Sequence, residues 1–425
     1  MKAVLSNRIY LEVTPEYGQF LKDELTYAIP SYNDPTTPIL LRNFNIIRPG
    51  LMSIPIGRLD LIPKDYEIKD KRIFNPVEFP TFKFPLRESQ QYVHDNLDDN
   101  AIINAKPSWG KTFAGLAIAG KLAQKTLVVV HTVPLRNQWA KEVEKVYGFT
   151  PGIVGSSKFN ISSPIVIGNV QSLYNCMDKI HKEFGTVILD EMHHVSSPTF
   201  ARVVDRSYAR YKIGLSGTLK RKDQKDIVFT DYFGTNIFKP PPENSMQPEV
   251  HVFDCGLQLP EVPGGNWAQR INALMAAPEY QNLIIAIAER YRSLGHKILV
   301  TQDRVEFAEY CASQRPSAVG ITGNLKDEER ELAMARIFID IDEIWGITSI
   351  FKEGISLDIL SCLILAGPIN NDPMLEQLVG RIQRIMPGKQ APIVVDIKLS
   401  GWTGSNQFQK RLNFYQSMGY KIKYL

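Results

Sequence analysis

Cysteine is scarce in this chain, and its few copies do not have the spacing of a metal site. The 425 residues include four cysteines, at positions 176, 255, 311 and 362, and no pair forms a CxxC motif. This pattern argues against a structural zinc site and against a disulfide scaffold. Since no signal-like segment is evident either, we expect free thiols in a reducing cell interior.

Long apolar runs, short internal repeats and low-complexity tracts are also missing. No run approaches the ~20 apolar residues that cross a bilayer, so we expect no membrane association. The 49 basic and 45 acidic residues leave a net charge of +4, which permits a polyanionic partner without requiring one. Hydrophobic residues make up 44% and charged residues 22%, as in globular proteins, and the length suggests two or three domains.

Two stretches of the chain alternate short β-branched runs with amphipathic segments. The runs are 101–104, 126–130, 165–167 and 187–189 in the first stretch, and 297–301, 343–348, 362–366 and 391–396 in the second. This alternation predicts parallel sheets covered by helices, hence an α/β protein with lobes at 81–245 and 246–400. A small α+β domain at 1–80, with a helix at 16–28, precedes them. A tail at 401–425 follows and is expected to pack on a lobe as a helix.

A glycine-lysine-threonine step follows the first predicted strand of the first lobe and opens a helix. In this context a P-loop is expected: Gly110 admits backbone amides to phosphates, Lys111 neutralises the β and γ oxygens, and Thr112 ligates Mg²⁺. The alternative is an ordinary turn with a solvated lysine. The other loop residues expected to contact a nucleotide are Pro107, Ser108 and Trp109.

An acidic pair follows the predicted strand that ends at residue 189. Asp190 is placed to hold Mg²⁺ through water, and Glu191 to orient an attacking water, because ligands bind at the carboxyl ends of parallel strands. His193 is expected to sense the γ-phosphate. The alternative is an acidic strand end with a structural histidine.

Two arginines near the C-terminus are three residues apart, which predicts one face of a helix. Arg381 and Arg384 are candidates for arginine fingers on a developing γ-phosphate charge, and Gln377 lies one turn earlier. The alternative is a solvated basic helix face.

Weaker signals fit the same chemistry. The amide of Gln90 can read one edge of an adenine. The segment 216–218 follows a strand and is a candidate for coupling ATP state to closure of the lobes. Residues Thr348, Lys352, Glu353, Gly354 and Asp358 form a loop after a strand of the second lobe.

Taken together, these motifs resemble helicase superfamily 2, the DExH group, over roughly residues 84–400. Segments 105–112 and 190–193 resemble motifs I and II, 132–139 motif Ia, 169–172 motif Ic and 216–218 motif III. Segments 300–301, 348–358 and 377–384 resemble motifs IV, V and VI. The resemblance implies two tandem RecA-like lobes, with ATP and Mg²⁺ as cofactors.

The resemblance also implies roles that the residues alone do not establish. Arg87, Gly354 and Asp358 join the ATP site, and the catalytic set is Lys111, Asp190, Glu191, His193, Gln377, Arg381 and Arg384. The implied nucleic-acid contacts are Pro134, Leu135, Arg136, Gln138, Asn169, Gln171, Ser172, Thr301, Thr322, Gly323, Thr348 and Lys352.

Departures from the common motifs point to a subfamily. Ser108 replaces a common glycine, Ala105 stands at the first glycine of the P-loop, and Gly217 stands in motif III. Four features are similar to phage recombination helicases of the UvsW type, including that of T5-like phages. They are Ser108, Gly217, the small N-terminal domain and the aromatic tail. The resemblance implies an ATP-dependent DNA helicase that remodels branched, forked or single-stranded DNA in phage replication, recombination and repair. We expect a monomer in the host cytoplasm.

Three other functions remain open from the sequence. DExH motors act on both polymers, and no motif here reads a 2′-hydroxyl unambiguously, so an RNA helicase is one of them. A second is a duplex translocase that does not unwind. The third is an annealing module with an inactive ATP site, which the intact set Lys111, Asp190, Glu191, Arg381 and Arg384 disfavours.

Overall fold

The computed structural model of the protein describes residues 1–29, 37–217, 219, 225–243, 245–351 and 357–425. Backbone contacts divide the chain into two compact units. The first contains Met1–Lys106 and Gly110–Pro242, and the second contains Pro107–Trp109 and Glu243–Leu425. No helix among the described residues is long and apolar enough to cross a membrane. All four cysteines are free thiols.

The first unit begins with a β-rich region. Its elements are β1 (Lys2–Leu5), β2 (Arg8–Glu12), α1 (Pro15–Glu24), β3 (Thr26–Ile29), β4 (Ile39–Arg42), β5 (Asn45–Arg48), β6 (Leu51–Pro55) and β7 (Glu67–Asp70). Five strands form a sheet in the order β5-β6-β2-β1-β7, and β3 pairs with β4. The helix predicted at 16–28 is therefore wrong at its C-terminal end. It stops at Glu24 because the following residues pair as β3 with β4.

An eight-stranded sheet follows in the same unit. Its elements are α2 (Glu88–Asn96), β8 (Ala101–Asn104), α3 (Lys111–Leu122), β9 (Thr126–Val130), α4 (Val133–Tyr147), β10 (Gly152–Gly155), β11 (Lys158–Phe159), β12 (Ile165–Asn169), α5 (Val170–Ile180), β13 (Thr186–Leu189), α6 (Pro198–Arg206), β14 (Tyr211–Ser216), α7 (Phe229–Phe233) and β15 (Ile237–Phe238). The strand order is β11-β10-β12-β9-β13-β14-β8-β15, with β11 alone antiparallel to its neighbour. The central strands are buried on both faces, which explains their continuous apolar runs.

The β-rich region shares its core and several buried polar contacts with the eight-stranded part of the unit. Val228 lies in the same apolar cluster as the side chains of β1, β2 and β6. The carboxylate of Asp231 is fully buried and accepts from Tyr27 Oη at 2.9 Å and from Asn43 Nδ2 at 2.7 Å. Arg8 pairs with Asp205 at 2.8 Å. These contacts make the first 80 residues part of the first unit.

The second unit is built on a seven-stranded, all-parallel sheet. Its elements are β16 (Glu249–Gln258), α8 (Trp267–Ala276), α9 (Pro278–Ser293), β17 (Ile298–Gln302), α10 (Val305–Ser313), β18 (Ala318–Ile321), α11 (Asp327–Ala335), β19 (Glu343–Ile347), α12 (Thr348–Phe351), β20 (Cys362–Leu365), α13 (Asp372–Ile382), β21 (Ile393–Ser400), α14 (Gly401–Ser417) and β22 (Lys421–Tyr424). The strand order is β18-β19-β17-β20-β21-β16-β22. The protein thus has two RecA-like α/β lobes and a β-rich N-terminal region.

The tail forms a helix and then a strand, so the prediction of a helix alone is incomplete. α14 buries Phe408, Phe414 and Tyr415 against the second sheet, and β22 pairs in parallel with β16. The guanidinium of Arg411 and the hydroxyl of Tyr415 both donate to the buried carboxylate of Asp396 at 2.7 Å.

Candidate functional site

The carboxyl edge of the first sheet brings three motifs together on neighbouring strands. Motif I follows β8, motif III begins at the end of β14, and motif II follows β13, and the order β13-β14-β8 makes these strands adjacent. The register pairs Asn104 with Ser216 and Leu189 with Gly214, so the three strands end at nearly the same level. Residues distant in sequence therefore meet at one edge.

Gly110 is the N-cap of α3 and has a left-handed backbone, with φ of +88°. A Cβ at this position would lie 2.8 Å from both Arg87 Nη2 and Gln90 Nε2. The backbone conformation therefore favours glycine, and the two residues predicted to join the ATP site do lie beside the loop. Gln90 also caps α2, since its Oε1 accepts from the amide of Arg87 at 3.1 Å.

Lys111 and Thr112 open α3, directly after the loop. The ammonium of Lys111 donates to the carbonyl of Ala105 at 3.2 Å, within its own loop. Ser108 also has positive φ, at 69°, which a non-glycine residue adopts only under local constraint. Pro107 and Ser108 are partly exposed, whereas Trp109 is buried. The loop and the helix N-terminus present backbone amides that could hold phosphates.

The carboxylates of motif II are buried or nearly so. Asp190 is 4% exposed, its Oδ1 accepts from the amide of Glu191 at 3.0 Å, and Oδ2 accepts from Trp139 Nε1 at 2.7 Å. Burial and the neighbouring Glu191 raise the pKa of Asp190 to about 6, while the Trp139 N–H and the Lys111 ammonium act in the opposite direction. The strand order β13-β14-β8 and the matched strand ends bring motifs I and II to the same edge of the sheet. Glu191 has φ of +48°, a strained backbone of the kind found at functional sites.

His193 links motif II to motif III. Its Nδ1 lies 3.4 Å from Ser216 Oγ and 3.3 Å from Glu191 Oε2. His193 therefore contacts both the proposed water-orienting carboxylate and the first residue of motif III. Thr218 of that motif lies outside the described residues.

The donors at this edge fit a magnesium ion that arrives with a nucleotide. Among the described residues, no three histidine, cysteine, aspartate or glutamate side chains converge as a metal cage. Burial and the adjacent Glu191 carboxylate raise the pKa of Asp190, so the pair leaves excess negative potential there, and the hydroxyl of Thr112 adds an oxygen donor. Mg²⁺ is commonly held by one or two protein oxygens together with phosphates and waters, so Asp190 and Thr112 suffice.

Part of the predicted nucleic-acid set clusters beyond β13 in the same sheet, near the ends of β10 and β12. Arg136 Nη1 donates to Asn169 Oδ1 at 3.0 Å and to Ser156 Oγ at 2.9 Å. Ser172 Oγ would lie 3.4 Å from a Cβ on Gly155. α4 carries Pro134, Leu135 and Gln138, and α5 carries Gln171. Among these four side chains, only Gln171 is exposed.

In the second unit, the two arginines of motif VI do not share a helix, which corrects the prediction. Arg381 lies on α13 and donates from Nε to the carbonyl of Phe351 at 3.0 Å. α13 ends at Ile382, because the Gln383 carbonyl accepts from the amide of Met246 and Arg384 forms a β-bridge with Ser245. Arg384 Nη1 then reaches Asp358 Oδ1, at 2.6 Å.

Further predicted residues of the second unit lie at the carboxyl edge of its sheet. Gln377 is half-buried on α13. Thr322 follows β18 and donates to Glu309 at 2.9 Å, and Gly323 beside it faces open space. Thr301, Thr322 and Thr348 are almost fully buried, near the ends of β17, β18 and β19. A direct contact of these side chains with a nucleic-acid strand therefore requires local movement. Lys352, Glu353 and Gly354 lie outside the described residues.

Comparison with known proteins identifies the family. A family model described as "Type III restriction enzyme, res subunit" matches residues 83–221. The protein named "Probable helicase D10", from Escherichia phage T5, is 41% identical over 434 aligned residues, covering 99% of this chain and 95% of its own. The chain belongs to helicase superfamily 2. Membership of this family implies an enzyme that hydrolyses ATP and binds nucleic acid.

Two solved structures resemble this helicase at low identity. The crystal structure of T4 UvsW is 15% identical, with a TM-score of 0.45, and the match covers 100% of this chain and 99% of that chain. The structure of S. cerevisiae Dbp5 bound to RNA and ADP BeF3 is 11% identical, with a TM-score of 0.60, covering 80% of this chain and 89% of that chain. The match to Dbp5 shows that the chain shares with it the fold of two RecA-like lobes.

Two residues at these sites were not assigned from the sequence. Trp139 lies at the end of the motif Ia segment. Its sequence pattern, a tryptophan on the apolar face of an amphipathic helix, is the same as that of an ordinary core residue. Ser156 lies in a turn in which Gly155, Ser156 and Ser157 all have positive φ. The Gly-Ser-Ser sequence signals a turn, but not the contact with Arg136.

Proposed function

We propose that this helicase is an ATP-dependent DNA helicase or translocase that remodels branched DNA in phage replication, recombination and repair. The observation that carries the proposal is the convergence of motifs I, II and III at one edge of the first sheet. His193 of motif II contacts Ser216 of motif III there, and Ser216 pairs with Asn104, the strand residue that precedes motif I. The branched-DNA role rests on the sequence resemblance to phage recombination helicases.

The proposed ATP site uses the residues of the first unit as follows. The P-loop amides and Lys111 bind the β and γ phosphates, with Arg87 and Gln90 beside them at Gly110. Mg²⁺, when bound with the nucleotide, neutralises developing phosphate charge. Asp190 and Thr112 would hold it, and Glu191 would orient the attacking water. Through its contact with Ser216, His193 is proposed to link the state of this site to motif III.

Arg381 and Arg384 of the second unit are proposed as arginine fingers. In phosphoryl-transfer enzymes such guanidiniums stabilise charge on the γ-phosphate in the transition state. We propose that Gln377 and Asp358 act with them. Arg384 contacts the Asp358 carboxylate, and in the proposal the guanidinium exchanges this carboxylate for the γ-phosphate.

The nucleic-acid strand is proposed to contact motifs Ia and Ic in the first unit and the carboxyl-edge residues of the second. Polar groups such as Arg136, Asn169 and Thr322 suit phosphates, so binding is expected to be independent of sequence. Bound ATP would favour a closed state in which both lobes contact it. Hydrolysis would remove that preference, and the alternation between the two states would move the strand.

The β-rich N-terminal region is proposed to grip duplex DNA or a junction. Arg42 and Arg48 are exposed and form no ion pair with any described residue. Near them in sequence, at least half of each of the side chains of Ile39, Leu40, Ile46 and Ile47 is exposed. Arginines beside exposed aliphatic side chains suit a DNA surface on which phosphates and unstacked bases are both available.

Steady-state ATP hydrolysis with matched nucleotide concentrations of single-stranded DNA, duplex, a four-way junction and RNA tests this proposal. Greatest stimulation by the junction or a fork supports it. Equal or greater stimulation by RNA favours the alternative of an RNA helicase, which the motifs leave open because none of them reads a 2′-hydroxyl unambiguously. Triplex displacement on intact duplex without strand separation favours a non-unwinding translocase.

A further inference from the structure

Trp139 lies between two elements of the ATP site without touching solvent. It projects from α4, is fully buried, and donates from Nε1 to Asp190 Oδ2 at 2.7 Å. A hydrogen bond to an ionised carboxylate in a water-free environment is short and strong, and this one has such a length.

The opposite edge of the same indole packs on the P-loop helix. A Cβ at Gly115 of α3 would lie 3.0 Å from Trp139 Cη2, and 3.2 Å from Leu215 of β14. Gly115 therefore leaves the space that the indole fills. The ring spans from the helix that begins with Lys111 to the carboxylate that follows β13.

The two oxygens of Asp190 consequently have different partners. Oδ1 accepts from the amide of Glu191 and Oδ2 from the indole. Two donors on opposite oxygens fix the rotation of the carboxylate about its Cβ–Cγ bond. An oxygen can still accept further interactions, since each carboxylate oxygen has two lone pairs.

We propose that Trp139 is a positioning residue that holds the Asp190 carboxylate in the orientation that receives the nucleotide-bound magnesium ion. The inference rests on the proposed function, because it takes Asp190 as the metal-binding carboxylate. Partners in this outer position typically change metal affinity or activity 10- to 100-fold when removed.

Isothermal titration calorimetry with ADP, in Mg²⁺ and again in EDTA, tests the role without relying on activity. For Trp139→Phe we expect Mg²⁺-dependent ADP affinity to fall by about 10-fold or more, with metal-free affinity unchanged. Equal losses in both conditions, or no loss in either, overturn the proposal. Replacing Trp139 by benzothienylalanine, which keeps the ring shape and lacks the N–H, gives the same comparison if the phenylalanine variant does not fold.

Trp345→Phe is a matched control. Trp345 is also fully buried and donates from Nε1 to a buried carboxylate, Glu343 Oε2, at 3.0 Å, but in the second unit. We expect its loss to leave the Mg²⁺ dependence intact. Asp190→Asn separates the two proposals. If that variant retains Mg²⁺-dependent affinity, the proposed metal site fails, and if it loses it while Trp139→Phe does not, only the role of Trp139 fails.

Discussion

Arg384 and Asp358, which are both proposed to act at the ATP site, form an ion pair with 2.6 Å between Nη1 and Oδ1. Lys389 reinforces the pair, since its ammonium donates to the carbonyls of Asp358 and Arg384 at 2.8 and 2.7 Å. The arginine side chain is 29% exposed and the aspartate 48%. Such a partly exposed pair contributes little stability, so Arg384 can exchange its carboxylate for a phosphate.

Arg384→Ala is expected to keep nucleotide binding and to reduce ATP hydrolysis by about 10³-fold, because a finger acts on charge that develops in the transition state. Single-turnover hydrolysis and ADP titration measure the two effects separately. Arg336→Ala removes a more exposed arginine, which pairs with Asp340 on the same unit, and should leave hydrolysis unchanged. Normal hydrolysis by Arg384→Ala contradicts the finger role.

The double substitution of Arg42 and Arg48 by alanine tests the N-terminal region without disturbing its core. Since both side chains are exposed, we expect the variant to fold normally. Its ATPase should respond to single-stranded DNA as the parent does and lose its preference for a junction. Retained preference for the junction means that this surface does not grip DNA. Deleting residues 1–80 is a poorer test, because Val228 belongs to the same core as their side chains.

Asp231→Ala is expected to lower the free energy of unfolding by about 3 kcal/mol, because it leaves the buried Tyr27 hydroxyl and Asn43 amide without their acceptor. Chemical denaturation measures the change. Asp23→Ala, on the exposed face of α1, should cost less than about 0.5 kcal/mol. If the two aspartate variants lose the same stability, the buried network does not hold the N-terminal region.

Lys212 gives the stability of the first unit a pH dependence. Its side chain is fully buried and donates to the carbonyl of Val204 at 2.8 Å, and burial lowers its pKa to about 7. Asp205 raises this pKa, and Arg8 and Arg72 lower it. Between this value and the ordinary pKa of 10.5, the unfolded chain binds more protons than the folded chain, so the contribution of Lys212 to stability rises with pH.

The wild-type protein should therefore gain stability relative to Lys212→Met as pH increases from 7 to 10, by up to about 1.4 kcal/mol per pH unit. Denaturant titrations of both proteins at each pH measure the difference. Lys145→Met, at an exposed lysine, is the control and should show no such trend. If the difference in stability between wild type and Lys212→Met stays constant with pH, the pKa of Lys212 is not depressed in the folded protein.

The sheets and the order of the motifs could be predicted because the evidence for them is local. Runs such as Thr126–Val130 are buried on both faces and read as strands. Asp190 follows a strand directly, and Lys111 follows one after a short loop. The end of α13 could not be predicted. It depends on the bond from Met246 to Gln383, whose partner lies far away in the chain. Asp231 and Trp139 were missed because sequence gives no sign that a carboxylate is buried or that a core indole donates to one.

The direct test of the central claim is conversion of a synthetic four-way junction into its forked products, followed by native gel electrophoresis with and without ATP. The account predicts ATP-dependent conversion by the wild-type protein. It predicts none by Lys111→Ala, which should still bind the junction, because Lys111 is proposed to contact only the nucleotide phosphates. Conversion without ATP, or equal conversion by Lys111→Ala, would contradict the claim that hydrolysis at this site drives remodelling of branched DNA.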